Sequence, residues 1–396
     1  MTRFLTFLAL CWAAFSADGG TLLIITEPTA RNHAGPLFDK WVAQIQREGT
    51  FAPIIVREHA RWGGSWASND WAGLNAMSND IVRIDPAAVQ LFGHLPWLIT
   101  GKHGVDGHAD RCITTHQWLS CVPGLTLTDA TTFTGMGYDA GLTSPLLATN
   151  VAGDGRPDQT YGTYVRPVCF IDAAGLVQYT GPDSTFASGY LAGTQYQQDI
   201  DEGYWLRCYL TNNLAYRRQG WSVNNSGYIR TDAWLNYATV TATNNSVTWT
   251  SGTASLAGLT NRWVMHGHVL NEWSPEFVTA GGEWTRVLIA QLYKSYGMEE
   301  SVGQATYRRH LFPGFAPRPI ALVAGWGLGS FSAANYFWMA TAANATVADA
   351  ITSSAFRYGA MSWEYPICGD LTLPIDAITQ NPIGTTAGST LRIVSP

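Results

Sequence analysis

The feature that most constrains the fold is an alternation of strand-like and helix-like patterns between residues 22 and 92. Short apolar runs typical of buried strands alternate with segments whose apolar residues recur at helical spacing. The strand-like runs are Leu22–Thr26, Pro53–Val56 and Ala87–Phe92, and the helix-like segments between them cover residues 37–45 and 68–83. Strand, helix, strand, helix, strand within about 70 residues predicts a parallel sheet covered by helices, joined by right-handed crossovers.

From Trp97 to Gly162 the periodic patterns give way to Gly, Thr, Asp and His. This composition predicts a long loop insertion, which in a compact domain usually carries function or elaborates the fold. A strand over Tyr164–Ile171 and a helix over Asp201–Leu214 follow the insertion.

A polar, Asn- and Thr-rich stretch over residues 236–253 precedes a second α/β portion. The elements predicted there are strands at Arg262–Met265 and Ile320–Ala324 and helices at Thr285–Tyr296 and Ser332–Ala342. We therefore divide the mature chain into a first α/β portion, 18–235, with the insertion at 97–162, and a second portion, 236–396. One continuous α/β domain or two tightly abutting halves fits this pattern.

The first 17 residues have the layout of a secretory signal peptide. Arg3 precedes an apolar run from Phe4 to Phe15, and the small residues Ser16 and Ala17 follow it. An apolar run of about a dozen residues is too short to span a bilayer, which needs roughly 20. We therefore expect a secreted, periplasmic or cell-surface protein without a membrane span.

The charge of the chain argues against a nucleic-acid partner. Its net charge is −6, and it contains no block of basic residues. Charged residues make up only 13% of the sequence, so neutral polar and aromatic side chains must cover much of the surface.

Five cysteines remain once Cys11 of the leader is set aside, and an odd number in an exported chain leaves at least one thiol unpaired. Cys112 and Cys121 are close enough in sequence to close a small disulfide loop. Cys169, Cys208 and Cys368 each lie in an apolar segment, which is typical of single buried thiols. None of the cysteines has a paired zinc spacing.

Short motifs along most of the mature chain resemble one family. Gln90–Pro96 reads Gln-Leu-Phe-Gly-His-Leu-Pro, and Tyr164–Val168 reads Tyr-Val-Arg-Pro-Val ahead of a long helix; the further segments are Asp106–Asp110, Asn150–Gln159 and Cys368–Leu373. Together they resemble the strands and loops of gingipain-type cysteine peptidases and their exported bacterial relatives. The resemblance implies a caspase-like α/β fold, a mostly parallel sheet flanked by helices with long loop insertions, and a protein or peptide as partner.

The resemblance also implies a catalytic thiolate and a histidine, each placed just after a parallel strand so that the two meet in one crevice. Trp263–His268 reads Trp-Val-Met-His-Gly-His and supplies the histidine. His266 is the preferred base because Gly267 follows it and lets a substrate backbone approach closely; His268 is the second choice. The alternative is that both histidines bond to nearby backbone groups at a strand end.

No nucleophile is evident in the sequence. The strand at Ile320–Ala324 continues into Gly325–Gly327 and meets no Cys, Ser or Thr before Ser330. Cys368 is a substitute only if the C-terminal strand lies beside the histidine strand, and its apolar context favours an inert thiol. We therefore predict a gingipain-like scaffold that is inactive or unproven as a cysteine peptidase. The alternative is a non-enzymatic secreted surface, binding or structural protein.

Asn150–Asp158 resembles a calcium-binding loop. Asn150, Asp154 and Asp158 occupy positions 1, 5 and 9 of such a loop, and Gly155 occupies position 6, where the chain turns sharply. Acidic ligands are missing at positions 3 and 12, so a plain turn remains the alternative. Calcium is the one cofactor that the sequence suggests.

A second group of potential ligands gathers histidines and aspartates in the insertion: His103, Asp106, His108, Asp110 and His116. Imidazole and carboxylate together suit zinc or a similar metal, and a metal hydrolase built on this loop is a third function. The histidine spacing matches no zinc signature, which favours a hydrogen-bonded loop network. Nearby, Trp62, Trp66 and Trp71 are expected to pack in the core rather than stack on sugars.

Overall fold

The computed structural model of this chain is built on one sheet of ten strands, flanked by helices, in which all neighbouring strands but one pair are parallel. The α/β class predicted from the sequence is therefore confirmed. The structure describes residues 20–63, 69–99, 114–116, 118–121, 133–134, 147–148, 161–162, 165–174, 195–219, 226–231, 248–252, 263–267, 289–294, 321–326, 346–349, 351–352, 361–362 and 367–374.

The strands of the main sheet, in chain order, are β1 Leu22–Thr26, β2 Ile54–Glu58, β3 Ala88–Phe92, β4 Val168–Ile171, β5 Ser226–Thr231, β6 Thr248–Gly252, β7 Trp263–Gly267, β8 Ile289–Lys294, β9 Ala321–Trp326 and β10 Ile367–Gly369. The helices are α1 Pro28–Ala34, α2 Pro36–Glu48, α3 Trp71–Ile84, α4 Trp118–Cys121 and α5 Gln195–Gln219. Two-residue ladders join Leu98–Ile99 to Thr114–Thr115, Phe133–Thr134 to Leu147–Ala148, and Tyr161–Gly162 to Met361–Ser362.

The first half of the sheet has the order β4-β3-β1-β2, and all of its pairings are parallel. β1 lies between its neighbours, with Leu22 opposite Ile54 on one side and Ala88 on the other. Every residue of β1 and β3 is buried, which explains why both read as continuous apolar runs rather than alternating ones. The strand and helix order predicted over residues 22–92 is found here.

Helix α2 covers this half of the sheet with an aromatic face. Phe38 and Trp41 pack against Phe92 of β3, with ring centroids 5.0 and 5.7 Å apart. The helix ends at Gly49, whose φ of 68° is left-handed and accessible to glycine without strain. The helical pattern predicted over residues 37–45 therefore agrees with the structure.

The second half of the sheet has the order β6-β5-β7-β8-β9, again all parallel. The helix predicted over Thr285–Tyr296 is wrong, because this segment contains strand β8. The apolar run was too short for its periodicity to distinguish a strand from a buried helix. β8 pairs with β7 on one side and with β9 on the other, so its backbone hydrogen bonds are made between strands.

Two further strands lie where the sequence pattern is polar. β6 falls within the Asn- and Thr-rich stretch at 236–253, and β5 precedes it. Thr is favoured in strands because its branched side chain fits the pleated surface. The polar stretch is therefore part of the sheet as well as a connection between two portions.

β10 joins the two halves and reverses the sheet. Cys368 pairs with Leu322 of β9 in an antiparallel ladder and with Phe170 of β4 in a parallel one. The strands of the two halves therefore run in opposite directions. Their carboxyl ends, where parallel sheets carry their binding crevices, lie at opposite edges of the same sheet.

A buried ionic cluster fixes the chain just beyond β10. The guanidinium of Arg217 on α5 donates to Asp370 at 2.6 Å and also pairs with Glu48 of α2. The Trp41 indole N–H donates to the same Asp370 oxygen at 2.7 Å, and Thr372 donates to the second oxygen at 2.6 Å. All of these groups are almost completely buried, so we call them the Arg217 clasp.

Several sequence-based predictions lie outside the described residues. These are the signal peptide at 1–17 and the helix at 332–342. In the part of the chain that the structure describes, no helix has the length and apolar character needed to cross a membrane.

Candidate functional site

His266 lies at the carboxyl end of β7, in the middle of the second half of the sheet. Its backbone is in register with Arg230 of β5 and Leu292 of β8. Gly267, the next residue, ends the strand. The predicted base therefore occupies the kind of position, at the end of a parallel strand, from which a side chain reaches a crevice.

The two strands beside β7 are not followed by a cysteine. β8 ends at Lys294 and the chain continues into Ser295, while β5 ends at Thr231 and continues into Asp232. A cysteine peptidase requires a thiolate within hydrogen-bond reach of its base. The sequence that leaves these neighbouring strands does not supply one.

Cys368 is too far from His266 to serve as a nucleophile. Three strand spacings separate β10 from β7, which is about 14 Å at the usual distance between strands. Cys368 is also opposite Leu322, near the amino end of β9, whereas His266 is level with Ala324 through β8. The C-terminal strand therefore does not lie beside the histidine strand.

The other described cysteines lie in the first half of the molecule. Cys169 is buried in β4, as its apolar context predicted, and Cys208 is a half-buried free thiol on α5. Cys208 is thus more exposed than predicted because it lies at the margin of the buried face of its helix. Cys121 ends α4, and Cys112 lies outside the described residues.

The remaining predicted site residues lie outside the described part of the chain: His268, Asn150, Asp154, Asp158, Asp106 and His108. Their catalytic and metal-binding roles stay predictions. Among the described residues, no group of three or more His, Cys, Asp or Glu is arranged to hold a metal ion.

His116, a member of the predicted histidine and aspartate cluster, is a core residue. Its ring stacks on Trp97 with centroids 3.8 Å apart, and Nε2 lies 3.1 Å from the Pro96 carbonyl oxygen. Burial lowers the pKa of His116 to about 3, although the nearby Asp172 carboxylate acts in the opposite direction. The imidazole is therefore neutral at physiological pH and packs in the core against Trp97 and Phe170.

The opposite edge of the sheet carries a network of charged residues that sequence reasoning missed. Arg61, just after β2, donates to Glu27, just after β1, at 2.6 Å. It also donates to both oxygens of Glu202 on α5, at 3.0 and 2.7 Å. Both glutamates are completely buried, whereas 24% of the Arg61 side chain is exposed. One guanidinium thus ties two strand ends to α5.

A histidine and an aspartate stand beside this network. His94, just after β3, has Nδ1 2.9 Å from Oδ2 of Asp172, just after β4. Asp172 is fully buried and accepts a second hydrogen bond from the Ala174 amide at 2.9 Å, while 15% of the His94 side chain is exposed. An ionised carboxylate only accepts hydrogen bonds, so Nδ1 of His94 carries the hydrogen and Nε2 is an acceptor in the neutral ring.

Gly93 lets these strand ends approach one another. Its φ of 100° is unfavourable for other residues, and a Cβ added there would lie 2.6 Å from Ala30 Cβ and 2.8 Å from Glu27 Cγ. The indole of Trp62 packs on the His94 ring at 5.2 Å between centroids, and the Trp62 amide donates to the His94 carbonyl. Trp62 is 3% exposed, which agrees with its expected role in core packing.

Excess negative charge marks this edge. Burial raises the pKa of Glu202, and its hydrogen bond and ion pair with Arg61 offset the shift only in part because Asp172 and Glu27 repel its charge. Three buried carboxylates face one guanidinium and one imidazole. We call Glu27, Arg61, His94, Asp172 and Glu202 the Arg61–His94 cluster.

One sequence signal pointed toward this cluster. Glu27 and Asp172 directly follow predicted strands of one parallel sheet, and His94 follows a third after Gly93; such positions meet at one edge. Arg61 and Glu202 carried no such signal, since one lies three residues beyond its strand and the other lies on a helix. Their meeting depends on how α5 packs on the sheet, which local patterns do not predict.

Comparison with known proteins supports the α/β fold but does not identify a family. No family model matches the chain, and no curated protein matches it. A solved structure described as "Structure of Protease" is similar to this chain with a TM-score of 0.51 and 9% sequence identity, over 89% of this chain and 78% of that one. At this identity the likeness shows a shared α/β architecture, which is compatible with a peptidase-like fold.

Proposed function

We propose that the protein is an exported scaffold of the gingipain-like peptidase fold that does not act as a cysteine peptidase. The observation that carries the proposal is the separation of His266 from Cys368 by three strand spacings of the sheet. The base and the thiol of a catalytic pair need a contact of roughly 3 Å.

The position of His266 supports the peptidase-like half of the proposal. It ends a parallel strand that has parallel neighbours on both sides, β5 and β8. The similarity to a solved protease structure extends over most of the chain. The motifs at 90–96 and 164–168 support the more specific resemblance to gingipain-type relatives. The signal-peptide pattern at 1–17 supports export.

Active-site labelling tests the proposal. The purified mature protein is treated with a peptide electrophile that alkylates catalytic cysteines, and the labelled residue is located by mass spectrometry. We expect weak labelling of the half-exposed Cys208, with no dependence on His266. The matched control is Cys208→Ala, which removes that background. Stoichiometric labelling of Cys368 or another cysteine, lost in His266→Ala, would show that the protein is a cysteine peptidase.

A second candidate function, that of a binding protein, is favoured by the Arg61–His94 cluster. Its partly exposed arginine and histidine are held by completely buried carboxylates at a carboxyl edge of the sheet. Such an arrangement fixes polar groups without supplying a nucleophile. It suits recognition of a ligand better than covalent catalysis.

A further inference from the structure

The Arg61–His94 cluster and His266 belong to different edges of the molecule. Five strand spacings separate β3 from β7, roughly 24 Å across the sheet. The reversal at β10 places the carboxyl end of β3 at the edge opposite to that of β7. A ligand bound at the cluster is therefore out of reach of His266, so the cluster is independent of the peptidase-like scaffold proposed first; the inference rests on the binding function proposed second.

The cluster lies at the switch point of the first half of the sheet. The chain passes from β1 to β2 on one side and then returns to place β3 on the other side of β1. In open α/β sheets, ligands commonly bind at the carboxyl edge beside such a switch point. Glu27 and His94 occupy the two sides of that position.

The carboxylates of the cluster are already satisfied. Glu27 accepts from the amides of Thr29 at 2.6 Å and Ala30 at 2.9 Å in addition to Arg61. Both oxygens of Glu202 accept from Arg61, and both oxygens of Asp172 have partners. Because these groups are also wholly buried, they orient their partners and are not available to a ligand.

Arg61 and His94 are the groups that a ligand can reach. Nη1 of Arg61 donates to both glutamates and Nη2 donates to Glu202. Its Nε–H and the second hydrogen of Nη2 then remain for a ligand, as judged from the described residues. His94 offers Nε2, an acceptor in the neutral ring. This edge thus presents fixed donors on Arg61 and a fixed acceptor on His94.

We infer that the Arg61–His94 cluster is a binding site for a neutral, hydroxyl-rich ligand such as a sugar. A hydroxyl can both accept from a guanidinium and donate to an imidazole nitrogen, whereas a carboxylate only accepts and an ammonium group only donates. The three buried carboxylates leave the cluster with excess negative charge, which repels anionic ligands. A cationic ligand finds no free carboxylate oxygen among the described residues.

The test measures binding of free sugars to the full mature protein by saturation-transfer NMR and calorimetry. The probes are glucose, galactose, mannose and N-acetylglucosamine, with glucuronate as the anionic comparison and glucosamine as the cationic one. We expect saturable binding of at least one neutral sugar and weaker binding of its charged analogue. His94→Gln and Arg61→Lys should each weaken binding about tenfold or more, because each removes hydrogen bonds to the ligand.

Two control variants separate the site from general effects. His59→Gln alters another histidine held by an aspartate, Asp80, at 2.7 Å, and His266→Ala alters the opposite edge; both should bind the sugar as the wild type does. The inference is overturned by absence of saturable binding to all four neutral sugars, by tighter binding of glucuronate or glucosamine, or by unchanged affinity in His94→Gln.

If the cluster variants do not fold, hydrogen exchange on the wild-type protein locates the sugar-binding site. Bound sugar should slow amide exchange in residues 59–63 and 93–97, the loops that carry Arg61 and His94. Protection confined to the 263–267 strand or to other regions would contradict the proposed location.

Discussion

Single residues at the carboxyl edge of β1–β4 show how buried charge is tolerated in this protein. Glu27, Asp172 and Glu202 are fully buried, yet each oxygen of each carboxylate has a hydrogen-bond donor. Burying an ion without partners is strongly unfavourable, whereas a paired and hydrogen-bonded ion is tolerated. The donors are held in fixed positions as a consequence, which is what a binding site requires.

Gly93 is the residue at this edge whose replacement should be most harmful. Gly93→Ala should lower the free energy of unfolding by about 1–3 kcal/mol, because the backbone is left-handed and the new Cβ overlaps Ala30 and Glu27. Urea denaturation of the two proteins measures the difference. Gly49→Ala is the matched control, since Gly49 is also left-handed at φ 68° but has no atom within 4 Å of the added Cβ. Equal losses in the two variants would contradict the close approach at Gly93.

His116 should make stability depend on pH. Its pKa is lowered to about 3 in the folded protein, against roughly 6.5 in an unfolded chain. Between these values the unfolded state binds a proton that the folded state does not, so stability falls as pH decreases from about 6.5 toward 3, by up to ~1.4 kcal/mol per pH unit. Above pH 6.5 this contribution is constant.

Denaturation midpoints measured from pH 7 to pH 4 check this expectation. His116→Gln should flatten the slope because it removes the titrating group. A wild-type slope retained in full by His116→Gln would mean that other groups are responsible.

At the scale of elements, the Arg217 clasp holds the short strand β10 in the centre of the sheet. Arg217 cannot neutralise both of its acidic partners. Burial alone would raise the pKa of Asp370, but the Arg217 charge and the hydrogen bonds from Thr372 and Trp41 bring it below its usual value. The pKa of Glu48 is raised, mainly by burial, despite the same guanidinium. Asp370 is thus the principal counter-ion of the clasp.

Removing the guanidinium should strongly destabilise the protein. Arg217→Met leaves Asp370 and Glu48 buried without their cation and should cost about 3–5 kcal/mol in free energy of unfolding. The adjacent Arg218 is exposed, so Arg218→Met is a matched control that should change stability little. Adding Asp370→Asn to Arg217→Met should restore part of the loss, since it removes one uncompensated charge. If the double variant were less stable than Arg217→Met by a further several kcal/mol, the charge argument would fail.

The elements that sequence patterns predicted well are those with long or repeated periodicity. β1 to β4, α2, α3 and the core of α5 all correspond to predicted segments. β8 was mistaken for a helix because a short apolar run fits both templates, and only pairing with β7 and β9 decides between them. β5 and β6 were missed because Thr, Ser and Gly in their sequences are as common in loops as in strands.

Of the two candidate sites, one was suggested by a local sequence pattern and the other was not. His266 was chosen from a strand pattern and a following glycine; the strand is present as β7, and the catalytic role stays a prediction. The Arg61–His94 cluster depends on contacts between residues as far apart as Arg61 and Glu202, separated by 141 positions. Side chains that meet only through packing of α5 on the sheet leave no local pattern to detect.

At the scale of the whole molecule, one sheet provides two carboxyl edges that face in opposite directions. Each edge carries a histidine, His94 at one and His266 at the other. The antiparallel pairing of β9 with β10 produces this arrangement. The two carboxyl edges can therefore differ in ligand and in function without sharing residues.

Export is testable on the intact chain. Expressed with its leader in a secreting host, the protein should appear outside the cytoplasm with a new amino terminus near residue 18, as read by mass spectrometry of the intact protein. Leu8→Arg, which places a charge in the apolar run, should block export and leave the leader uncleaved. Leu37→Arg, outside the leader, controls for the added charge. Cleavage unaffected by Leu8→Arg would contradict a signal peptide.

The central position of β10 sets an order in which this protein can acquire its structure. The indole hydrogen bond of Trp41 can form only after Asp370, 329 positions later, has been synthesised. During synthesis, the first half of the sheet therefore remains without its inner neighbour until nearly the whole chain has left the ribosome. Contacts this distant slow folding, because a long loop must close before they form. A chain that stays incomplete so long is compatible with translocation before folding, and the finished sheet would then assemble on the far side of the membrane.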